Sequence, residues 1–178
     1  MHDGVLLPWH EEPINKGHDR KGFDCGQSDL NLFLSKYARQ SHENGASKTY
    51  LAIENGDGKT VLGYYTLSPA QVEFSRVPEI ARYNLGRHDV GGFRLGRLAV
   101  STRIQGKGLG GQLLLAAARR CIRASEQVGG TSLLIDAKDE KTAKWYQLFG
   151  AVALNDLPLS LMLAYRLLQD ALTKAGKL

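Results

Sequence analysis

The sequence predicts an α/β fold of mixed order, with a β-hairpin first and a strand-helix-strand-helix unit second. Three observations carry that expectation. Residues 49–54 and 60–74 are rich in β-branched and aromatic side chains and flank Asn55-Gly56-Asp57-Gly58, a strong hairpin turn signal. A glycine-rich stretch at 103–111 joins a run of strand character to one of helical character. Within residues 110–128, Leu113, Leu114, Ala117, Ala118, Cys121 and Ile122 fall on one helical stripe, with Arg119, Arg120 and Arg123 turned away from it.

The remaining elements follow in order. A short apolar run at 5–7 precedes residues 17–26, a polar and basic stretch that ends in Phe23-Asp24-Cys25-Gly26 and reads as a loop. Ser28 is placed to cap a helix in which Leu30, Phe33, Leu34, Tyr37 and Ala38 recur at helical spacing, while Asn31, Ser35, Lys36 and Arg39 take the other face. That helix should end near Asn44-Gly45. Residues 78–88 show no clear period. Residues 93–100 are apolar on both faces apart from Arg94 and Arg97, which predicts a strand in the middle of a sheet. After the 110–128 helix come a short apolar strand at 132–137, a helix at 140–149 stopped by Gly150, and a last strand at 159–164 with a helical tail.

Composition narrows the class. A chain of 178 residues with 43% hydrophobic content is of the size of one domain with one core, so a single domain over 1–178 is expected. The 23 Lys and Arg against 18 Asp and Glu give a net charge of +5, which suits a polyanionic partner and also serves solubility. Cys25 and Cys121 lie far apart and form no CxxC pair, so neither a disulfide framework nor a zinc site is expected, and a reducing cytoplasm fits best. His2, His10, His18, His42 and His88 have no metal-ligand spacing, and no metal is expected. No stretch approaches the ~18 consecutive apolar residues of a membrane span.

The glycine-rich stretch, Arg103-Ile104-Gln105-Gly106-Lys107-Gly108-Leu109-Gly110-Gly111, sits where a strand hands over to a helix. Amides at a helix N-terminus lack intrahelical partners, and the helix dipole favours negative charge there. Glycine removes the Cβ that would hold a pyrophosphate away from the backbone, and Lys107 and Arg103 add direct charge. The stretch lacks the Gly-Lys-Ser/Thr ending of a P-loop, which argues against ATP. A tight turn that needs glycine for steric reasons alone is the other reading of the same residues.

The spacing Gln105-x-x-Gly108-x-Gly110 resembles the acyl-CoA pyrophosphate motif of the GNAT acetyltransferases. That resemblance implies a GNAT acyl-CoA N-acyltransferase fold, a central mixed, mostly antiparallel sheet flanked by helices, with acetyl-CoA as cofactor. It also implies that backbone groups of Leu98, Ala99 and Val100 pair with the pantetheine arm. Downstream, Asp139-Glu140-Lys141-Thr142-Ala143-Lys144-Trp145-Tyr146-Gln147-Leu148-Phe149-Gly150 resembles the family helix that carries a tyrosine four residues before a glycine, so Tyr146 is the implied general acid. A phenol of pKa ~10 can hold and protonate a departing thiolate whose thiol has a pKa of ~8.5. The other reading makes Tyr146 a core aromatic like Trp145 and Phe149. Asp139 and Ala151 stand where many family members have Asn and Phe.

A finer resemblance is to the GNAT toxins of bacterial toxin-antitoxin pairs. It rests on Phe23-Asp24-Cys25-Gly26 followed by Leu30-Asn31-x-Phe33-Leu34, on Gly63-Tyr64-Tyr65-Thr66-Leu67-Ser68 and on Gly96-Arg97-Leu98-Ala99-Val100. It implies acetylation of the amino group of aminoacyl-tRNA, a block to translation, a ribbon-helix-helix antitoxin as partner, and a homodimer. The amine of an aminoacyl ester is less basic than an α-amino group of pKa ~7.7 to 8.0, so it needs no strong protein base. Arg20, Lys21, Lys36, Arg39, Arg76, Arg94 and Arg97, with Lys16, Arg82 and Arg87 beside them in the count, are the candidates to pair with tRNA phosphates. A GNAT enzyme for a small amine or a protein N-terminus is the alternative.

Overall fold

The computed structural model describes residues 6–174, so Val5 of the opening apolar run and His2 lie outside the described residues. Seven strands, β1 (Trp9–Pro13), β2 (Lys48–Glu54), β3 (Val61–Val72), β4 (Val90–Val100), β5 (Ser132–Asp136), β6 (Val152–Leu154) and β7 (Leu157–Ala164), form one sheet in the order β1-β2-β3-β4-β5-β7-β6. The helices are α1 (Ser28–Leu32), α2 (Ala38–Asn44), α3 (Leu109–Val128), α4 (Glu140–Gln147) and α5 (Tyr165–Lys174), with a single turn of π-helix at Phe33–Tyr37. The strand apolar on both faces, β4, is fourth of the seven, as its pattern requires. Two compact units divide the chain: one runs up to Ser68 and includes Gly96–Ala117, the other takes Pro69–Leu95 and the chain from Ala118 onward.

In the first unit β2 pairs antiparallel with β1 and with β3, and the Asn55 to Gly58 turn closes the expected hairpin. Strand β1 was not legible as a strand. Trp-His-Glu-Glu-Pro has no apolar alternation, and the sheet uses it at an edge, where charged side chains and a terminal proline discourage further pairing. Phe23, Cys25, Phe33, Leu34, Ala38, Leu51, Ile53 and Tyr64 form one core cluster. The Tyr64 ring meets Phe23 edge-on at 5.6 Å and stacks on Phe33 at 6.4 Å, and its hydroxyl donates to the Leu30 carbonyl at 2.8 Å. Gly63 lets β3, β4 and α3 close on one another: a Cβ there would lie 2.8 Å from the Ala99 carbonyl oxygen and 2.8 Å from a Leu113 methyl.

The helix expected from Ser28 is present but differs in two ways. Its cap position is Gln27, with no side-chain capping bond, and Ser28 is the first helical residue. The Ala38 amide bonds to the Phe33 carbonyl, five residues back, and that wider turn returns Ala38 to the core while Tyr37, expected on the apolar stripe, is 52% exposed. A 3.6-residue period does not anticipate an inserted π turn. The 110–128 stripe holds in full: Leu113, Leu114, Ala117, Ala118, Cys121 and Ile122 are all buried.

In the second unit β4 runs parallel to β5, with Gly92 opposite Ser132, and β7 pairs antiparallel with both β5 and β6. Helices α4 and α5 pack on β7. Val72, Val77, Val90, Leu134, Leu154 and Met162 make the core. The patternless 78–88 region holds a 3-10 turn at Glu79–Ala81, preceded by another at Phe74–Arg76. Strand β6, three residues long, is too short to declare a period of its own.

Candidate active site

Strand β4 ends on Leu98, Ala99 and Val100, of which Ala99 is buried and its neighbours half-buried. The chain then turns sharply and is tied down. The Ser101 amide donates to the Leu62 carbonyl at 2.8 Å, the Thr102 amide to the Asp24 carbonyl at 2.9 Å, and the Ile104 amide to the Ser101 carbonyl at 3.0 Å. Ile104 is buried and anchors the turn. The Gln105 side-chain nitrogen donates to the Val100 carbonyl at 2.9 Å and to the Cys25 carbonyl at 3.1 Å. Both of its hydrogens are thereby used inside the protein, so Gln105 shapes the loop and does not reach out from it.

Gly106 and Gly108 have φ of 77° and 87°, in the left-handed region that favours glycine. A Cβ built on either would meet nothing within 4 Å. The two readings of the glycines are thus separable: crowding does not call for glycine here, whereas backbone conformation does, and the space in front of the loop is open. The Gln112 amide bonds to the Gly108 carbonyl at 3.2 Å, which starts α3 and leaves the amides of Leu109, Gly110 and Gly111 without intrahelical partners. The Leu109 side chain is buried beside Gly63, so this residue can offer a ligand only its backbone. Arg103 and Lys107 are exposed. An open glycine turn, a run of amides without intrahelical partners at the start of a 20-residue helix and two exposed cations fit a pyrophosphate.

Helix α4 belongs to the second unit and is capped by Asp139, whose carboxylate accepts the Thr142 amide at 2.7 Å. Asp serves this capping role as Asn does, which accounts for the departure noted in the sequence. Burial of the aromatics differs from the expectation for Trp145 and Phe149. Trp145 and Phe149 are half-buried and pack on each other at 4.9 Å, while Tyr146 is the buried ring, 6% exposed, with Trp145 edge-on at 4.9 Å. Among the described residues the Tyr146 hydroxyl has no hydrogen-bond partner. Burial pushes its pKa up to about 12.

The seven basic candidates separate by what holds them. In the first unit Arg20 donates to the Ser35 carbonyl at 2.9 Å, Arg39 pairs with Glu43 at 2.5 Å, and the Arg97 guanidinium lies over the Phe33 ring at 3.6 Å. Lys21 and Lys36 are exposed. Arg20 and Arg97 therefore both meet the π turn at Phe33–Tyr37, which also carries Lys36. In the second unit Arg76 reaches Asp156 at 3.8 Å and Arg94 is ion-paired to Asp136, which also accepts from the Ser160 hydroxyl at 3.0 Å. Arg76 and Arg94 line a cavity of about 290 Å³ together with Val72, Leu134, Leu154 and Leu161 and the carboxylates Glu73 and Asp136. Sequence reasoning missed this cavity because its walls come from β3, β4, β5, β6 and β7, and no local period reports that convergence.

Known proteins give this geometry its context. Residues 10–151 match the model of the acetyltransferase (GNAT) family. Over 163 residues the chain is 31% identical to a tRNA-acetylating toxin of Mycobacterium tuberculosis, which covers 92% of this chain and 94% of that protein. Among solved structures, AtaT complexed with acetyl-methionyl-tRNAfMet superposes with a TM-score of 0.86 at 27% identity, over 92% of this chain and 99% of that one. A tyrosine-to-phenylalanine mutant of the AtaT toxin, bound to the C-terminus of the antitoxin AtaR and acetyl-CoA, gives a TM-score of 0.79 at 27% identity, over 93% of this chain and 98% of that one. With a family match over most of its length and a relative 31% identical over 92% of it, the chain belongs to the GNAT acetyltransferase family.

Proposed function

We propose that this acetyltransferase is the toxin of a toxin-antitoxin pair, a single GNAT domain over residues 1–178 that uses acetyl-CoA to acetylate the amino group of aminoacyl-tRNA and so blocks translation. The observation that carries the reading is the open, left-handed turn at Gly106 and Gly108 leading into α3, in a chain covered almost end to end by a tRNA-acetylating relative. Its compartment is the cytoplasm, where charged tRNA is found. The solved AtaT complexes support both tRNA and an antitoxin as partners. The antitoxin is of the ribbon-helix-helix type and the toxin a homodimer, as its resemblance to this toxin group implies.

Acetyl-CoA supplies an acetyl group activated as a thioester. Backbone amides of residues 106–111 hold the pyrophosphate, Arg103 and Lys107 add charge, and backbone groups of Leu98, Ala99 and Val100 pair with the pantetheine arm. Tyr146 holds the sulfur through its hydroxyl. With the phenol near 12 and a thiol near ~8.5, outright transfer from Tyr146 is uphill, so it passes its proton on as it recovers one from the attacking nitrogen. One proton leaves the amine and one reaches the sulfur. The cavity that Arg76 and Arg94 line takes the aminoacyl end, with Glu73 and Asp136 serving its amine. Lys21, Lys36, Arg20, Arg39 and Arg97 serve the acceptor-stem phosphates.

The test offers labelled acetyl-CoA with charged tRNA, with small amines and with peptides bearing a free N-terminus. Charged tRNA should be the preferred acceptor by a wide margin in kcat/KM. A small amine or a peptide turned over better than charged tRNA replaces this reading with that of an ordinary GNAT enzyme.

A further inference from the structure

The motif Phe23-Asp24-Cys25-Gly26 followed by Asn31 is not absorbed by the chemistry above, because none of its side chains belongs to the glycine loop or to α4. Its hydrogen bonds show what it does. Phe23 and Cys25 are buried and pin the segment to the core. Between them, Asp24 turns outward, and its Oδ1 accepts both the Gly26 amide at 2.8 Å and the Asn31 Nδ2 at 2.8 Å. Asn31, on the first turn of α1, closes the circuit by accepting the Cys25 amide on its Oδ1 at 2.9 Å. Each end of the Asn31 amide is therefore engaged, and the peptide units on both sides of Cys25 are fixed.

Those peptide units are the ones the loop leans on. The Asp24 carbonyl accepts the Thr102 amide at 2.9 Å and the Thr102 hydroxyl at 3.3 Å, and the Cys25 carbonyl accepts the Gln105 amide at 3.1 Å. Gln105 in turn reaches back to Val100 at the end of β4. A chain of hydrogen bonds thus runs from Asn31 to Asp24 and Cys25, then to Thr102 and Gln105, and stops immediately before Gly106. Gly106 and Gly108, just beyond it, are left-handed with open space around them. Gly26 and Asn31 also hold the Asp24 carboxyl below the usual carboxylate range, so it is charged, and an acceptor only, at neutral pH.

We propose that Asp24 and Asn31 are positioning residues for the pyrophosphate loop: they fix the carbonyls on which Thr102 and Gln105 hang and so set acetyl-CoA affinity without touching the ligand. The inference rests on the reading that the loop holds acetyl-CoA. The toxin-type motif at 23–31 is then a buckle for the cofactor site, and a change in α1 alters the cofactor without altering the chemistry.

Three variants test this: Asn31→Ala, Asn31→Asp, and the exchange Asp24→Asn with Asn31→Asp. Acetyl-CoA affinity is read by calorimetry, and amide exchange at residues 106–108 is followed in the free protein with melting temperature alongside. Asn31→Ala should weaken acetyl-CoA by about tenfold, the order expected for losing one or two hydrogen bonds that organise a site. Exchange at residues 106–108 should speed up, and the rate at saturating acetyl-CoA should stay within about twofold. Asn31→Asp loses the donor and sets two carboxylates against each other, so it should be at least as weak. The exchange variant faces a new amide donor on residue 24 with a carboxylate on residue 31, and affinity should recover to within about threefold of the parent. The inference is overturned by folded single variants that bind acetyl-CoA as the parent does, by an exchange variant no better than Asn31→Asp, or by losses explained by unfolding with exchange at 106–108 unchanged. A parent that does not bind acetyl-CoA strikes the reading of the loop instead, and that result is seen before any variant is made.

Discussion

Replacing Tyr146 by phenylalanine removes a single oxygen from a ring that is 6% exposed and packed edge-on to Trp145. The hydroxyl has no partner among the described residues, so no donor or acceptor in the protein is left unsatisfied when it goes. Stability should therefore change by less than about 1 kcal/mol. For a chain of this length that is a melting shift of no more than about 2–4 °C. Acetyl-CoA affinity should hold, since the loop amides proposed to carry it are untouched. Turnover is where the oxygen matters: general acid catalysis contributes about 10² to 10⁴ in rate, or roughly 3 to 5 kcal/mol of barrier. Single-turnover rate, acetyl-CoA affinity and melting temperature measured on one preparation give the answer, and the variant expressed without antitoxin should no longer arrest growth. A folded Tyr146→Phe protein with a normal single-turnover rate refutes the role assigned to Tyr146.

The other expectations concern the loop, the basic residues and pH. Gly108→Asp should leave the protein folded, at a cost of about 1–2 kcal/mol for a left-handed non-glycine residue, and abolish acetyl-CoA binding because a carboxylate enters the phosphate site; calorimetry showing parental affinity contradicts the loop assignment. Lys21→Glu with Lys36→Glu, both exposed, should weaken charged tRNA and flatten its salt dependence by roughly two counterions while sparing acetyl-CoA. Arg94 and Arg97 are poorer probes, since one is ion-paired to Asp136 and the other lies on Phe33, and their loss also disturbs packing. Because burial raises the Tyr146 pKa to about 12, its protonated form persists far above neutrality, so the rate should rise as the amine deprotonates and then level off to pH ~10. A falling limb near pH 10 that disappears in Tyr146→Phe contradicts a buried phenol.

Elements with an uninterrupted period were readable from the sequence. The α3 stripe from Leu113 to Ile122 is buried residue for residue, and the β2–β3 hairpin and the central β4 lie where pattern and turn residues put them. Elements defined by partners were not. Strand β1 exists because β2 offers it an edge, β6 because β7 does, and the π turn at Phe33–Tyr37 shifts phase in a way that turns Tyr37 outward. At the site, the glycines were legible because a left-handed, open turn has few residues to choose from. Gln105 was legible as a member of the motif, but its engagement with Cys25 and Val100 was not, since those contacts span 80 residues in one case and 5 in the other. Burial of Tyr146 in place of Trp145 and Phe149 depends on which face of the short α4 meets β7, which eight residues of mixed polarity do not specify.

Passage of the acetyl group to the amino group of an aminoacyl ester is read from where a label comes to rest. After reaction of labelled acetyl-CoA with charged tRNA, mild alkaline hydrolysis of the ester should release all of the label as an N-acetylated amino acid, and uncharged tRNA should accept none. Label that stays with the nucleotides after hydrolysis, or that enters uncharged tRNA equally well, rules out the aminoacyl amine as the acceptor.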